Sequence, residues 1–395
     1  MPRFEAFRAL RYAQSLHLDE VAAPPYDVIN ESERVALCAR HPSNIAYIDM
    51  PTGENAYEDA AKTLRLWIGA GVLVLDEVPS LTLYRMQFVD SLGAKRSTVG
   101  VLGALEVVDE GAGGVLPHER TTPKATTDRL ELTRATDTNM SPVWGLSLAS
   151  GLSSKLSKSG EDCGSMTDAD GVVHSVERVI DPERLAEITQ SIAAVDVVIA
   201  DGHHRYAVSR TYRDEVRFRT GRNDTAAELT LAYVNELVEN QLSVAAIHRL
   251  YSHISLDNLQ TTLARSFDIE QGGVFDDTTL REMSELGALS LLRADRTISW
   301  LRPKQEAFAG VRQLDSAMLE HALSAIQHTV AYQHDIEEVC RQLEIGEASA
   351  AILIRPVSVA EIRRTATEGL LMPPKSTFFT PKLRTGLVLR PLYIN

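Results

Sequence analysis

Apolar and polar residues alternate along residues 80–89 (SLTLYRMQFV) and again along 97–108 (STVGVLGALEVV), so both runs predict β-strands, and the DSLGAKR segment between them suits a hairpin. Upstream, Pro24-Pro25 in AAPPYDVIN bars a helix and brings the chain extended into Tyr26 and Asp27. Asn30 is placed to cap a helix over ESERVALCARH. Helical spacing of Ala60, Leu64 and Trp67 then predicts a second, which stops near Gly69 and Gly71. A strand is expected over 143–148, and the Ser-, Gly- and Asp-dense stretch 150–171 reads as a mobile surface loop. After it come a strand over 172–179, a helix opened by Asp181-Pro182, and an apolar strand over 195–200 that runs directly into DGHHRYAVSRTYRDE. The runs LTLAYVNEL and LSVAAIHRL read as another hairpin, and from there helical patterns (256–267, 280–286, 316–327, 336–343) alternate with strand patterns (289–292, 297–302, 350–354). The expected organisation is a core over residues 1–250 and an α+β domain over 251–395.

Composition narrows the function classes. With 395 residues, 44% hydrophobic and 24% charged, the chain is long enough for two or three domains with real cores. A formal net charge of -14 argues against nucleic acid and anionic membranes as partners. Cys38, Cys163 and Cys340 lie far apart with no CxxC pair, which signals neither disulfides nor a cysteine zinc site. No window reaches the ~20 apolar residues of a membrane span, and the charged N-terminus is unlike a signal peptide, so a cytoplasmic setting is expected. The pattern selects no oligomeric state.

Three polar segments carry candidate chemistry. Asp201-Gly202-His203-His204-Arg205 stands where a strand gives way to a helix, so Gly202 permits close approach of a ligand to opening helical amides that suit an anion. Arg205 can grip phosphate as a fork, and His203 or His204 can donate a hydrogen bond or pass a proton near neutral pH. The alternative is that Asp201 merely caps the helix. His118-Glu119, followed by Lys124, Asp128 and Arg129, offers a general base and cations for phosphate, or else a solvated helix face. The proline-stiffened run Met372 to Lys382 offers Lys375, Ser376, Thr377 and Lys382 as an anion clamp, or else a docked surface loop. Tyr26 and Asp27 line a substrate pocket or fill a core edge. Asp201, with Glu119, is the candidate oxygen contact for Mg2+. The chain has no GxxxxGK[ST] loop and no GxGxxG.

The ordered set APPYDV (23–28), His118-Glu119 with Asp128-Arg129 and SPV (141–143), ADGHHR (200–205) and MPPKST-F-PK (372–382) resembles a widespread prokaryotic family of unknown function over nearly the whole chain. The DGHHR element also resembles the phosphate-binding box of the ParB/sulfiredoxin-like superfamily, which includes free-serine kinases. That resemblance implies an α/β fold with a mixed sheet: a ParB/sulfiredoxin-like core whose box holds nucleotide phosphates at a helix N-terminus, with an additional C-terminal α+β domain. It implies Mg2+ and a nucleotide, ATP or ADP, as cofactors, with a small-molecule substrate. Glu119 is the base for a substrate hydroxyl, and Asp201 and His204 handle phosphate or Mg2+. Sulfiredoxins carry a cysteine where this chain has His203, which argues against sulfur reduction. The expected activity is phosphotransfer to a small hydroxylated metabolite, first of all free L-serine. The alternatives are phosphoserine hydrolysis in the same pocket and a noncatalytic regulator that binds a nucleotide or metabolite.

Overall fold

The structure, a computed structural model, describes residues 1–90, 93–119 and 126–393. The chain forms two compact units, Met1–Ser243 with Ala366–Gly369 and Pro381–Asn395, and Val244–Thr365 with Leu370–Thr380. Both combine helices and sheets, so the fold class is mixed α/β.

The first unit is built on a nine-stranded mixed sheet. From one edge the order is Val115–Pro117, Val197–Asp201, Val143–Ser147, Leu229–Glu236, Lys95–Glu106, Leu81–Val89, Val173–Val179 and Glu161–Thr167, with Phe4–Glu5 pairing the far end of Lys95–Glu106. Val197–Asp201 runs parallel to Val115–Pro117 and antiparallel to Val143–Ser147, and Leu229–Glu236 is parallel to Val143–Ser147. One face packs Leu83, Val101, Val197 and Val234 against Leu156 and Ile192 of the helices Leu152–Ser157 and Pro182–Ala193. The opposite face carries Tyr84, Tyr233 and Trp144, with ring centroids 5.5 Å apart in edge-on pairs. Gly100 is required beneath Tyr233, because a Cβ there would lie 2.3 Å from the ring.

Several local expectations match. Asn30 caps Glu31–Arg40 in a reciprocal capping box with Glu33, and Asp181 caps the helix that Pro182 opens. The helix Ala56–Gly69 buries Ala60, Leu64 and Trp67, and Leu81–Val89 pairs antiparallel with Lys95–Glu106.

Two expectations are corrected. The stretch 150–171 is not a loop: it holds the helix Leu152–Ser157 and the edge strand Glu161–Thr167, paired with Val173–Val179. An edge strand needs only backbone pairing on one side, so the polar sequence EDCGSMT serves and hides the element from pattern reading. Nor do 229–248 form a hairpin. Leu229–Glu236 is interior to the sheet with both neighbours already supplied, and His248–Ser252 joins the sheet of the second unit.

The second unit is an antiparallel six-stranded sheet in the order Phe267–Val274, Thr297–Pro303, Leu289–Leu292, Ala350–Leu353, His248–Ser252, Thr329–Gln333. Apolar clusters cover both faces, one around Leu291, Leu301 and Phe308 and the other around Leu250, Trp300 and Leu343. The expected helix over 256–267 ends at Leu263, and Phe267 instead begins a strand.

Candidate functional site

Strand pairing assembles the site. Val197–Asp201 has four buried apolar residues before Asp201, and its parallel register pairs Val197 with Val115 and Ile199 with Pro117. The residues beyond these pairs therefore lie at the same end of the sheet: His118 and Glu119 on one side, Asp201 and Gly202 on the other. In mixed and parallel sheets this carboxyl end is where ligands gather. His118 is fully buried and ties the two strands together, with Nδ1 donating to the carbonyl of Ile199. Glu119 is half-buried beside it.

Gly202 turns the chain into the helix His203–Thr220. Its φ of 83° lies in the left-handed region, glycine at the N-cap brings no capping side chain of its own, and its carbonyl accepts the first helical bond from Tyr206. A Cβ on Gly202 would stand 3.0 Å from Arg205 Cζ, because the guanidinium folds back over the glycine. Gly202→Ala is accordingly expected to cost about 1–2 kcal/mol for the left-handed backbone alone, and to displace Arg205. Urea unfolding measures this, and a variant as stable as the parent would exclude the conformation.

The charges are interlocked. Asp201 Oδ2 lies 3.1 Å from Arg205 Nη2 and 3.4 Å from Lys382 Nζ. Burial pushes the Asp201 carboxyl up, but Lys382, Arg205 and the Gly202 amide overcome this and hold it well below the usual carboxylate range. Arg205 also donates to the carbonyl of Pro142, and its buried Nε has no partner. The rings of His118 and His203 are 5.0 Å apart. Burial lowers His118 to about 4 and, with His118 nearby, His203 to about 3, so both are neutral at physiological pH. His203 Nε2 is shielded and unpartnered. Burial and its neighbour thus hold His203 neutral. His204 is half-buried on the same opening turn.

A cavity of about 40 Å³ adjoins Arg205, lined by Tyr26, Asp49, Arg129, Ser141 and Thr230 among others. That is space for one small group. Tyr26 follows Pro25 in a short 3-10 turn, and the Arg129 guanidinium stacks 4.2 Å above its ring. Asp27 is exposed. Arg129 pairs with Asp49 at 3.2 Å and with Asp128 at 2.6 Å, so its donors face carboxylates. Asp49, 3% exposed, is pushed up by burial against the pull of Arg129 and Arg205. Sequence reasoning missed Asp49. Its signal is a lone carboxylate inside the apolar run NIAYIDM, which a buried cation must answer.

The structure thus brings Tyr26, His118, Arg129, Asp201, Gly202, His203, Arg205 and Lys382 together in the first unit. Lys375, Ser376 and Thr377 belong to the second. There the Lys375 carbonyl accepts from Arg249, and the buried Ser376 hydroxyl donates to the carbonyl of Pro373. Lys124 lies outside the described residues. Among the described residues no group of three or more His, Cys, Asp or Glu side chains is arranged to hold a metal ion. Asp201 already faces two cations, so the described side chains do not fit a resident Mg2+.

A family described as "Protein of unknown function (DUF1015)" matches residues 4–317, and the chain belongs to it. No curated protein matches the sequence. Among solved structures the chain is similar to a conserved hypothetical protein from Pyrococcus furiosus, at 14% identity and TM-score 0.36 over 68% of this chain and 87% of that one. It is also similar to a free serine kinase in complex with AMP, at 13% identity and TM-score 0.37 over 68% and 84%. A third is SbnI with C-terminal truncation from Staphylococcus aureus, at 15% identity and TM-score 0.40 over 74% and 87%. Among the described residues no helix is long and apolar enough to cross a membrane.

Proposed function

We propose that the protein transfers a phosphoryl group between a nucleotide, ATP or ADP, and the hydroxyl of a small metabolite, with free L-serine as the first candidate. The observation that supports this reading is the register of Val115–Pro117 against Val197–Asp201, by which His118 and Glu119 follow one strand at the same end where Asp201 and Gly202 open the helix that carries Arg205, with Lys382 beside Asp201. Opening amides and a positive helix end suit phosphate oxygens, and the buried, unpartnered Arg205 Nε adds a donor. A bound nucleotide supplies the phosphoryl group. Glu119 accepts the substrate hydroxyl proton, and Arg205 and Lys382 offset the charge that develops on the phosphoryl oxygens. Such transfer rests on positioning and electrostatics more than on covalent help from the protein. Tyr26 and Ser141 line the adjoining cavity and would meet the polar groups of the acceptor. Serine is nominated by the resemblance of the Asp201–Arg205 box to that of the serine kinases. No step is assigned to Mg2+.

The direct test incubates the purified protein with L-serine and either ATP or ADP in Mg2+-containing buffer and follows O-phosphoserine by 31P NMR. Phosphoserine should appear with equimolar loss of the nucleotide's terminal phosphoryl group. Its absence with both nucleotides would overturn serine phosphorylation. Phosphate release from phosphoserine without nucleotide would replace it by hydrolysis.

A further inference from the structure

A larger cavity, about 240 Å³, opens elsewhere in the first unit, where residues 3–8, 224–229 and 390–391 meet. Apolar groups such as Phe7 and Pro79 share its lining with Arg3, Arg8 and Arg390. Arg390 is the unusual member: it is 4% exposed, yet no ion pair reaches it among the described residues. Its Nη1 donates to the carbonyl of Leu229 at 2.7 Å and to Asn139 Oδ1 at 3.5 Å, and its Nη2 donates to the carbonyl of Ala226 at 2.8 Å. These acceptors orient the guanidinium without neutralising it. Burial therefore lowers Arg390 to about 10, with only a weak opposing pull from Glu5.

The donor count leaves donors unused. A guanidinium has five N–H groups; Nε–H has no partner, and Nη2 has one acceptor for its two protons. Nε and Nη2 are the two nitrogens of the side-on fork that takes two oxygens of a carboxylate or phosphate. Thr225, which also lines the cavity, has a buried and unpartnered Oγ1. Arg8 donates Nε to the carbonyl of Asp76, and among the described residues no carboxylate pairs with it. The acidic groups nearby are already paired, Glu5 with Arg3 at 3.7 Å and Asp224 with Arg222 at 2.8 Å. A buried cation without a counter-ion is costly to keep, and here the missing counter-charge coincides with a cavity and two orphaned polar atoms.

We propose that this cavity is a second ligand site, in which Arg390, Arg8 and Thr225 bind the carboxylate or phosphate of a small organic anion whose apolar part rests against Phe7 and Pro79. The volume lies below the range usual for drug-sized ligands and suits a small ion. The site shares Asn139 with the cavity beside Arg205: this side chain lines that cavity, accepts from the amide of Leu231 at 3.0 Å and faces Arg390. The inference does not depend on the phosphotransfer reading.

The test titrates the full chain separately with inorganic phosphate and with succinate, reading the thermal midpoint and the heat of binding. At least one ion should bind saturably and raise the midpoint, the tighter of the two identifying the oxyanion. Because Arg390 also holds two carbonyls, the decisive variants are Arg8→Gln and Thr225→Val, each expected to weaken that binding at least tenfold while leaving the ligand-free midpoint within a few degrees of the parent. Absence of binding by both ions, or binding that neither variant weakens, would overturn the assignment.

Discussion

The Glu119→Gln variant is expected to keep its nucleotide affinity and to lose roughly 10²- to 10⁴-fold in kcat for phosphorylation of serine, the range that a positioned general base contributes. Gln has the size and shape of Glu but takes no proton at physiological pH. The neighbouring backbone is fixed independently of that side chain, through the His118 bond to the Ile199 carbonyl and the ladder between Val115–Pro117 and Val197–Asp201. The groups proposed to face phosphate, the opening turn of His203–Thr220 with Arg205 and Lys382, are untouched. The loss should fall on kcat with little change in the nucleotide KM, since removal of uniform binding would raise KM instead. Stopped-assay kinetics combined with nucleotide titration separates the two. Turnover equal to the parent's would remove Glu119 from the chemistry, and a parallel loss of nucleotide affinity would make it a structural residue. If the protein were a binding regulator, the same substitution would leave ligand affinity intact with no turnover in either form.

Local signals explain what the sequence reveals and what it hides. The junction of Val197–Asp201 with His203–Thr220 is legible because its cues are contiguous: buried apolar residues, then Asp-Gly, then a helix. Caps at Asn30 and Asp181 are equally local, each bond spanning three residues. Ion pairing is not. Arg129 meets Asp49 across 80 residues of chain and Arg390 meets Leu229 across 161, so neither environment has a sequence pattern of its own. The same limit affects Arg205. Its fork looks available for phosphate in the sequence, yet the fold engages one donor of each terminal nitrogen with the Pro142 carbonyl and Asp201, while Nε has no partner. The edge strand Glu161–Thr167 escaped for a different reason, since periodicity reports burial and most of that strand is not buried.

Arg129→Met should destabilise the first unit by about 3–5 kcal/mol, the cost of leaving one member of a buried ion pair behind. The partner left behind is Asp49, 3% exposed, whose carboxylate would lose its contact at 3.2 Å while Arg205 acts on it only from further off. The stack on Tyr26 would go as well. Burial already raises the Asp49 carboxyl in the parent, and removing Arg129 raises it further, because an opposing cation is taken away. A carboxyl whose folded value exceeds its unfolded one holds its proton more tightly in the native state. It therefore supports folding at acid pH, and that support is lost as pH rises from the ordinary carboxylate value to the raised one. The deficit of Arg129→Met relative to the parent should thus be largest at neutral pH and shrink on acidification. His118 and His203, whose lowered values make acid destabilise both proteins, cancel in the difference. Replacing the partner too, as Arg129→Met with Asp49→Leu, should recover most of the loss, since no lone charge then remains buried. Denaturant midpoints of the parent and both variants between pH 5 and 8 decide it. A deficit independent of pH, or a double variant no more stable than the single, would mean that Asp49 is not the buried charge that Arg129 answers.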